Sequence, residues 1–285
     1  LPLLGRLYDP TMNGVYTVYV SIINITQQIA CFRYDYAIVV ADDDEEAGGI
    51  LVLSCVLATL FSILMAIVMW PLIPQIAGWL GIPEAQDSLW AIPLTTLICG
   101  TTTAVNYFNV RYEKYRTITS SVIIKAVASI AIQIGLYFLG FGYWGLILGQ
   151  LLSNLFGNLR MFMTLKGRVH KHMFHPRFLW KLARKNSSYP KFMLPSGLAN
   201  SLTLNLMPIT ISNAYTVEQT GQFGMVNRAL GMPLTLVSNS VSQVFLKHAA
   251  DDKENKNHLE KTFSSVAKWL LVLGLIPFGI LFFFG

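Results

Sequence analysis

The stretch Tyr215-Thr-Val-Glu-Gln-Thr-Gly-Gln-Phe-Gly-Met-Val-Asn-Arg-Ala-Leu-Gly-Met-Pro233, running on to Phe245, decides how this chain reads. From Ala229 to Leu246 it holds no charged residue, which predicts a membrane-spanning helix. Arg228 nevertheless belongs to that helix, and Asn227, Ser238, Asn239, Ser240, Ser242 and Gln243 add polar groups. An Arg at the centre of a spanning helix costs roughly 2.5–3.5 kcal/mol on insertion scales, so it faces protein or water rather than lipid. Two uses fit Arg228. It snorkels or pairs with a carboxylate on a neighbouring helix, or it lines an aqueous path for an anionic substrate.

The same stretch has a counterpart near the start of the chain. Tyr8, Gly14 and Tyr16 stand at the spacing of Tyr215, Gly221 and Phe223. Each set follows a proline (Pro2, Pro208) and opens a helix. An acidic loop follows each helix, at Asp42 to Glu46 and at Asp251, Asp252 and Glu254. Internal repeats in a membrane protein point to a transporter with its substrate site between the two halves.

Composition supports the membrane reading. Hydrophobic residues make up 53% and charged residues 13%, with a mean hydropathy of +0.50. A soluble chain carries about 25% charge. Charge is absent from Gly48 to Pro83, Ser88 to Val110, Ala126 to Leu159, and Trp269 to Gly285. Runs of about 20 apolar residues cross a bilayer, so the chain reads as an all-α polytopic membrane protein. Cys31, Cys55 and Cys99 are scattered through apolar segments, which excludes a disulfide framework or a zinc motif. The net charge of +6 belongs to cytoplasmic loops rather than to nucleic-acid binding.

The expected order is a helix stub at 1–7 and spans near 13–32, 48–70, 89–110, 118–139, 143–165, 192–215 and 222–245. An eighth span begins near Ser264. Pro71, Pro74 and Pro83, flanked by Trp70, Trp79 and Trp90, mark an interfacial loop or half-helix. Kinks are expected near Pro93, Pro195 and Pro208, and a tight hairpin at Gly140-Phe-Gly-Tyr-Trp-Gly145. The basic stretch 166–191 is the linker between a transmembrane lobe at 1–165 and the start of a second at 192–285. The ends look like the tail of one helix and the middle of another, so the chain reads as a piece of a longer protein.

Asp42 to Glu46 reads as a solvated acidic turn that sets carboxylates at the N-terminus of the next helix, the alternative being a divalent-metal cluster. His170, His172 and His175 lie in the basic linker without nearby carboxylate or thiolate, and read as solvated. Alternate loops collect the cations: Arg33, four between Arg111 and Lys125, nine between Arg160 and Lys191, and five between Lys247 and Lys268. Only Arg6 and Arg228 fall elsewhere. The positive-inside rule makes that side cytoplasmic.

These residues resemble a known family. Gly5-Arg-Leu-Tyr-Asp-Pro-Thr-Met-Asn-Gly14, Phe32-Arg-Tyr-Asp-Tyr-Ala-Ile38 and Asp43-Asp-Glu-Glu-Ala47 are similar to the opening of bacterial polysaccharide-biosynthesis membrane proteins. So are Arg111-Tyr-Glu-Lys-Tyr-Arg116, Tyr189-Pro-Lys-Phe-Met-Leu-Pro195, and Gly221 through Asn227-Arg-Ala-Leu-Gly-Met-Pro233. These are Wzx-type O-antigen and capsule-repeat flippases, of the superfamily that includes MATE exporters and lipid II flippases. The resemblance implies a two-lobed MATE-like helical bundle with parallel internal repeats, of which this chain holds about eight spans plus a stub. It implies a multi-pass protein of the bacterial inner membrane that flips undecaprenyl-diphosphate-linked oligosaccharide to the outer leaflet. It also implies membrane lipids, a polysaccharide polymerase and a chain-length regulator as partners, with no cofactor beyond a coupling ion (proton or sodium).

Such a cargo needs cations for its diphosphate and amides or hydroxyls for its sugars. Arginine's planar fork suits phosphate. Arg33 and Arg228, one from each lobe, are therefore the expected diphosphate contacts, and Arg111 the third. Asn24, Gln27, Gln28, Asn200, Asn205 and Asn227 are the expected sugar-facing lining, or else interhelical hydrogen-bonding groups. Asp35 pairs with Arg33 or carries a coupling proton. Two other readings stay open: a MATE-like small-molecule exporter, which would want carboxylates in its spans, and a membrane-embedded glycosyltransferase or ligase, which would want acid–base groups in a sizeable loop.

Overall fold

A computed structural model of the chain describes residues 2–166, 168, 170–229 and 231. Every regular element among them is helical. A stub α1 (Pro2–Leu7) precedes α2 (Pro10–Ala30), a short α3 (Ala37–Val40), α4 (Asp44–Met69) and α5 (Ile73–Trp79). Then come α6 (Ala91–Arg111), α7 (Tyr115–Phe138), α8 (Tyr143–Met163), α9 (Pro176–Lys185) and α10 (Leu194–Ala214). Helix α11 runs over 217–229. The chain divides into two compact units, Leu1–Met225 and Val226–Gly285. The first holds nearly everything described here.

Among the described residues, three helical stretches are long and apolar enough to cross a membrane: Asp44–Trp79, Pro83–Arg111 and Tyr115–Phe138. Pro10–Ala30 with Tyr34–Val40 passes as a fourth, bent by 62° at the break. Helices α8 and α10 each span 21 residues, about 31 Å at 1.5 Å per residue, yet do not qualify by composition. The buried Gly, Ser and Asn residues of α8, and Ser201 and Ser212 of α10, face neighbouring helices. The seventh and eighth expected spans run mostly or wholly outside the described residues.

Small residues set the tightest pairing, the α7–α8 hairpin. Gly145, Gly149, Ser153 and Gly157 form one buried stripe along α8. A Cβ at Gly149 would overlap Gln133, and one at Gly157 would overlap the Lys125 stem. Small residues at four-residue spacing let two backbones approach closely, which matters where no hydrophobic effect drives helices together in lipid. The outer face of α7 carries exposed Val122, Ile123, Val127 and Ile130, as a lipid-facing helix should. Trp70, Trp79 and Trp90 are exposed around the proline-rich segment, and Trp70 and Trp90 meet edge-to-face at 4.5 Å.

Two apolar clusters fill the bundle at different depths. One joins Val15, Val18, Tyr19, Leu89, Ile92, Leu146 and Ile147. The other joins Ile38, Ile50, Leu51, Val105, Phe108 and Met161. Between them, α2, α6 and α8 turn polar together, at Asn24 and Gln27, at Thr95 to Thr103, and at Gln150 and Asn154.

The acidic run acts as a cap. Asp43 accepts a hydrogen bond from the Glu46 backbone N–H at 2.6 Å, and Asp44, Glu45 and Glu46 fill the first turn of α4. Lys185 of α9 reaches Asp42 at 2.7 Å and Glu46 at 2.7 Å. The linker thus contains a folded helix, whose Leu182 and Phe178 lie over Gly49 of α4. Its N-cap is His175, whose Nδ1 accepts from the Arg177 N–H at 3.4 Å.

Candidate functional site

Helix α10 packs along α2, bringing together residues nearly two hundred positions apart. Asn24 donates to the Asn205 side chain at 3.0 Å, and Ser201 donates to the Asn24 carbonyl at 3.0 Å. Asn205 in turn donates to the Ser201 carbonyl at 2.8 Å. Two of the expected sugar-facing amides are therefore one interhelical pair. The pair is exposed rather than buried, so its outer lone pairs and N–H groups still face solvent or cargo.

Arg33 closes the end of this seam. Helix α2 stops at Ala30, and Phe32 and Arg33 take left-handed backbone, with φ of 49° and 62°. That turn throws the Arg33 side chain back across α10. Its guanidinium lies against Gly197, where a Cβ would overlap Nη2. Nη1 donates to the Tyr36 hydroxyl at 3.1 Å, and the cation sits 5.1 Å from the Tyr36 ring centroid. Nε is buried with no hydrogen-bond acceptor among the described residues. An unsatisfied N–H on a guanidinium is a group that awaits an acceptor.

On the other face of α2 a cavity of about 180 Å³ opens between α2, α6, α7 and α8. Gln27 lines it and donates to Thr103 at 3.0 Å. Asn24, Thr95, Thr102, Gln150 and Asn154 line it too. So does Lys125, which the count of alternate loops grouped with Arg111, Lys114 and Arg116 although the expected span 118–139 contains it. The structure takes it out of the loop group: α7 begins at Tyr115, and Lys125 lies near its middle. Gly157 leaves room for its stem.

The polysaccharide biosynthesis protein family matches residues 3–284. The chain belongs to that family. The succinoglycan biosynthesis transport protein ExoT of Rhizobium meliloti (strain 1021) is 25% identical over 247 residues, which cover 86% of this chain and 48% of that protein. The chain thus spans about half the length of that curated relative. No solved structure matches.

The remaining expected residues of this family member fall apart from the seam. Arg111 is committed elsewhere: Nη1 donates to the carbonyls of Ile38 at 3.4 Å, Val39 at 3.2 Å and Ala41 at 2.7 Å. Its Nη2 lies 3.6 Å from Asp44. Arg111 therefore ties off the C-terminus of α3 and the start of α4. Asp35 is buried in the turn after α2, and no ion pair joins it to Arg33 among the described residues. Gln28 is half-buried on α2, and Asn200 is exposed on α10. Asn227 is exposed and Arg228 half-buried on α11, both in the second unit. Lys125 is the residue that sequence reasoning missed. The signal that finds it is a lone cation flanked by Ile123, Ile124, Ala126 and Val127.

Proposed function

We propose that this chain is part of a polysaccharide transporter that moves an undecaprenyl-diphosphate-linked oligosaccharide from the cytoplasmic to the periplasmic leaflet of a bacterial inner membrane, with its basic loops cytoplasmic. Family membership and the transport role in the relative's name support the class. The observation that carries the cargo assignment is Arg33, a guanidinium held at the edge of the α2–α10 seam with a buried Nε that lacks an acceptor. A diphosphate oxygen is the acceptor this fork suits, since arginine offers parallel charge-assisted N–H donors. The Asn24–Asn205 pair alongside offers amides to sugar hydroxyls. Arg228 is a further candidate phosphate contact.

The test uses the full-length parent gene. Its deletion is expected to accumulate lipid-linked oligosaccharide on the cytoplasmic leaflet and to abolish surface polysaccharide. Arg33→Ala should fail to complement the deletion and Arg33→Lys should complement in part, and the same pair at position 228 should behave alike. Full complementation by both alanine variants would sink the phosphate-contact reading. Unchanged surface polysaccharide with altered drug resistance in the deletion strain would move the protein to the exporter class. Loss of polysaccharide with no lipid-linked intermediate would make it an enzyme acting earlier.

A further inference from the structure

The cavity between α2, α6, α7 and α8 is too small for the proposed cargo and has the wrong chemistry to be filler. Its volume is about 180 Å³, room for roughly half a dozen waters, whereas pockets for organic ligands run from about 300 Å³ upward. It lies between two apolar clusters, near the middle of the spanning helices. Amides and hydroxyls at that depth bond one another across helices or hold something polar between them.

The polar lining carries one sign. Lys125 is the only charged residue there, and no Asp or Glu lines the cavity. Among the described residues its ammonium makes no ion pair or hydrogen bond. The placement is built rather than incidental. Gly157 accommodates the lysine stem, and Gln27 is held toward the cavity by its bond to Thr103. Asn154 is tied to the Gln150 carbonyl at 3.0 Å. Charged groups inside a membrane pair with an opposite charge or face water. Lysine, unlike the forked arginine of the seam, is a compact point charge suited to a compact partner.

We propose that this cavity is a site for a small inorganic anion, with Lys125 as the counter-charge and Gln27 and Asn154 as neutral donors. Because four helices line it, an anion held there bridges all four, and its occupancy sets how tightly the first bundle packs. The site shares Asn24 with the seam but uses neither Arg33 nor Asn205, so it stands whether or not the cargo assignment does.

The experiment is thermal unfolding of the purified full-length parent protein, read by intrinsic tryptophan fluorescence. Chloride, sulfate and phosphate are each titrated against gluconate at constant ionic strength. The expected result is a saturable rise of several degrees in the unfolding midpoint with at least one of the small anions. Lys125→Met should abolish that rise. Asn154→Asp, which supplies a carboxylate within the same cavity, should raise the midpoint in gluconate and blunt the anion response, and it serves as the deciding variant if Lys125→Met does not fold. Equal midpoints in all four salts for the unaltered protein would overturn the proposal. So would a K125M response equal to that of the unaltered protein, or an N154D response undiminished from it.

Discussion

Phe32 and Arg33 stand at consecutive left-handed positions, a conformation that costs a residue with a Cβ roughly 1–2 kcal/mol. The strain is tolerated because the turn is what aims Arg33 at Gly197. Glycine adopts that backbone freely, so Arg33→Gly relieves about 1 kcal/mol while losing the Tyr36 hydrogen bond, worth about 1 kcal/mol. The variant is expected to unfold within a few degrees of the parent and yet to export no polysaccharide. A large drop in unfolding midpoint would show instead that Arg33 is there for folding. Arg111 is predicted to behave in the opposite way. Its Nη1 donates among the carbonyls of Ile38, Val39 and Ala41, and Arg111→Ala would remove that donor at a cost of about 1–3 kcal/mol. Arg111→Lys should recover only part of the lost midpoint, because one ammonium cannot replace both Nη1 at the carbonyls and Nη2 beside Asp44. Export should track the midpoint across this pair. Export lost at an unchanged midpoint would return Arg111 to the cargo path.

Helix α9 is held to α4 by an apolar face and by one cation. Lys185 keeps the Asp42 carboxyl below its usual range, chiefly through their hydrogen bond, and the same contacts with Asp42 and Glu46 raise the lysine. A depressed carboxylate stabilises the folded state fully above its ordinary value of about 3.9, and that contribution fades as pH falls through the lowered value. Amide hydrogen exchange in α9 should therefore be flat, once corrected for intrinsic rates, between about pH 8 and 5 and speed up only below about pH 4. Lys185→Met should speed it at pH 7 and remove the acid step. If the acid step persists in that variant, Asp42 is not the titrating group. The helix also shows what could be read from the sequence. The long charge-free runs and the glycine-rich hairpin announce themselves, because lipid requires apolar length and close packing requires small residues. In α9 the apolar run Phe178-Leu179-Trp180, with Leu182 and Ala183, is short and set among Arg177, Lys181, Arg184 and Lys185, so the stretch reads as a polar linker until Gly49 shows what Phe178 and Leu182 cover. Lys125 was hidden for a different reason. Its role depends on the register of four helices at once, and only Gly157, on another helix, marks where its stem goes.

The motif that links the start of the chain to Tyr215 has a physical counterpart in how the helices meet. Gly14 and Gly221, equivalent by spacing, touch at one crossing of α2 and α11. A Cβ on Gly14 would overlap the Val217 carbonyl, and a Cβ on Gly221 would overlap the Pro10 carbonyl. Val217 stands to Gly221 as Pro10 stands to Gly14, so the contact is nearly the same seen from either helix. Thr17 and Gly224, the next equivalent pair, also meet. A contact that reads alike from both sides is what an approximate two-fold relation between repeats produces, and it accounts for glycine at both positions without appeal to turns or caps. In this respect Gly135 of α7 is the control, since a Cβ there meets nothing within 4 Å. Gly135→Ala should be neutral or stabilise by up to about 1 kcal/mol through helix propensity. Gly14→Ala and Gly221→Ala should each destabilise by about 1–3 kcal/mol, because backbone rather than a flexible side chain must move. Combining the two should cost less than the sum of the singles, since the first separates the helices that the second would have forced apart. The three single variants and the double, compared by unfolding midpoint and by surface polysaccharide, decide the point. Should Gly14→Ala or Gly221→Ala match Gly135→Ala on both readouts, the crossing is not where the two copies of the motif are held together, and the shared spacing reflects each helix's own start rather than their meeting.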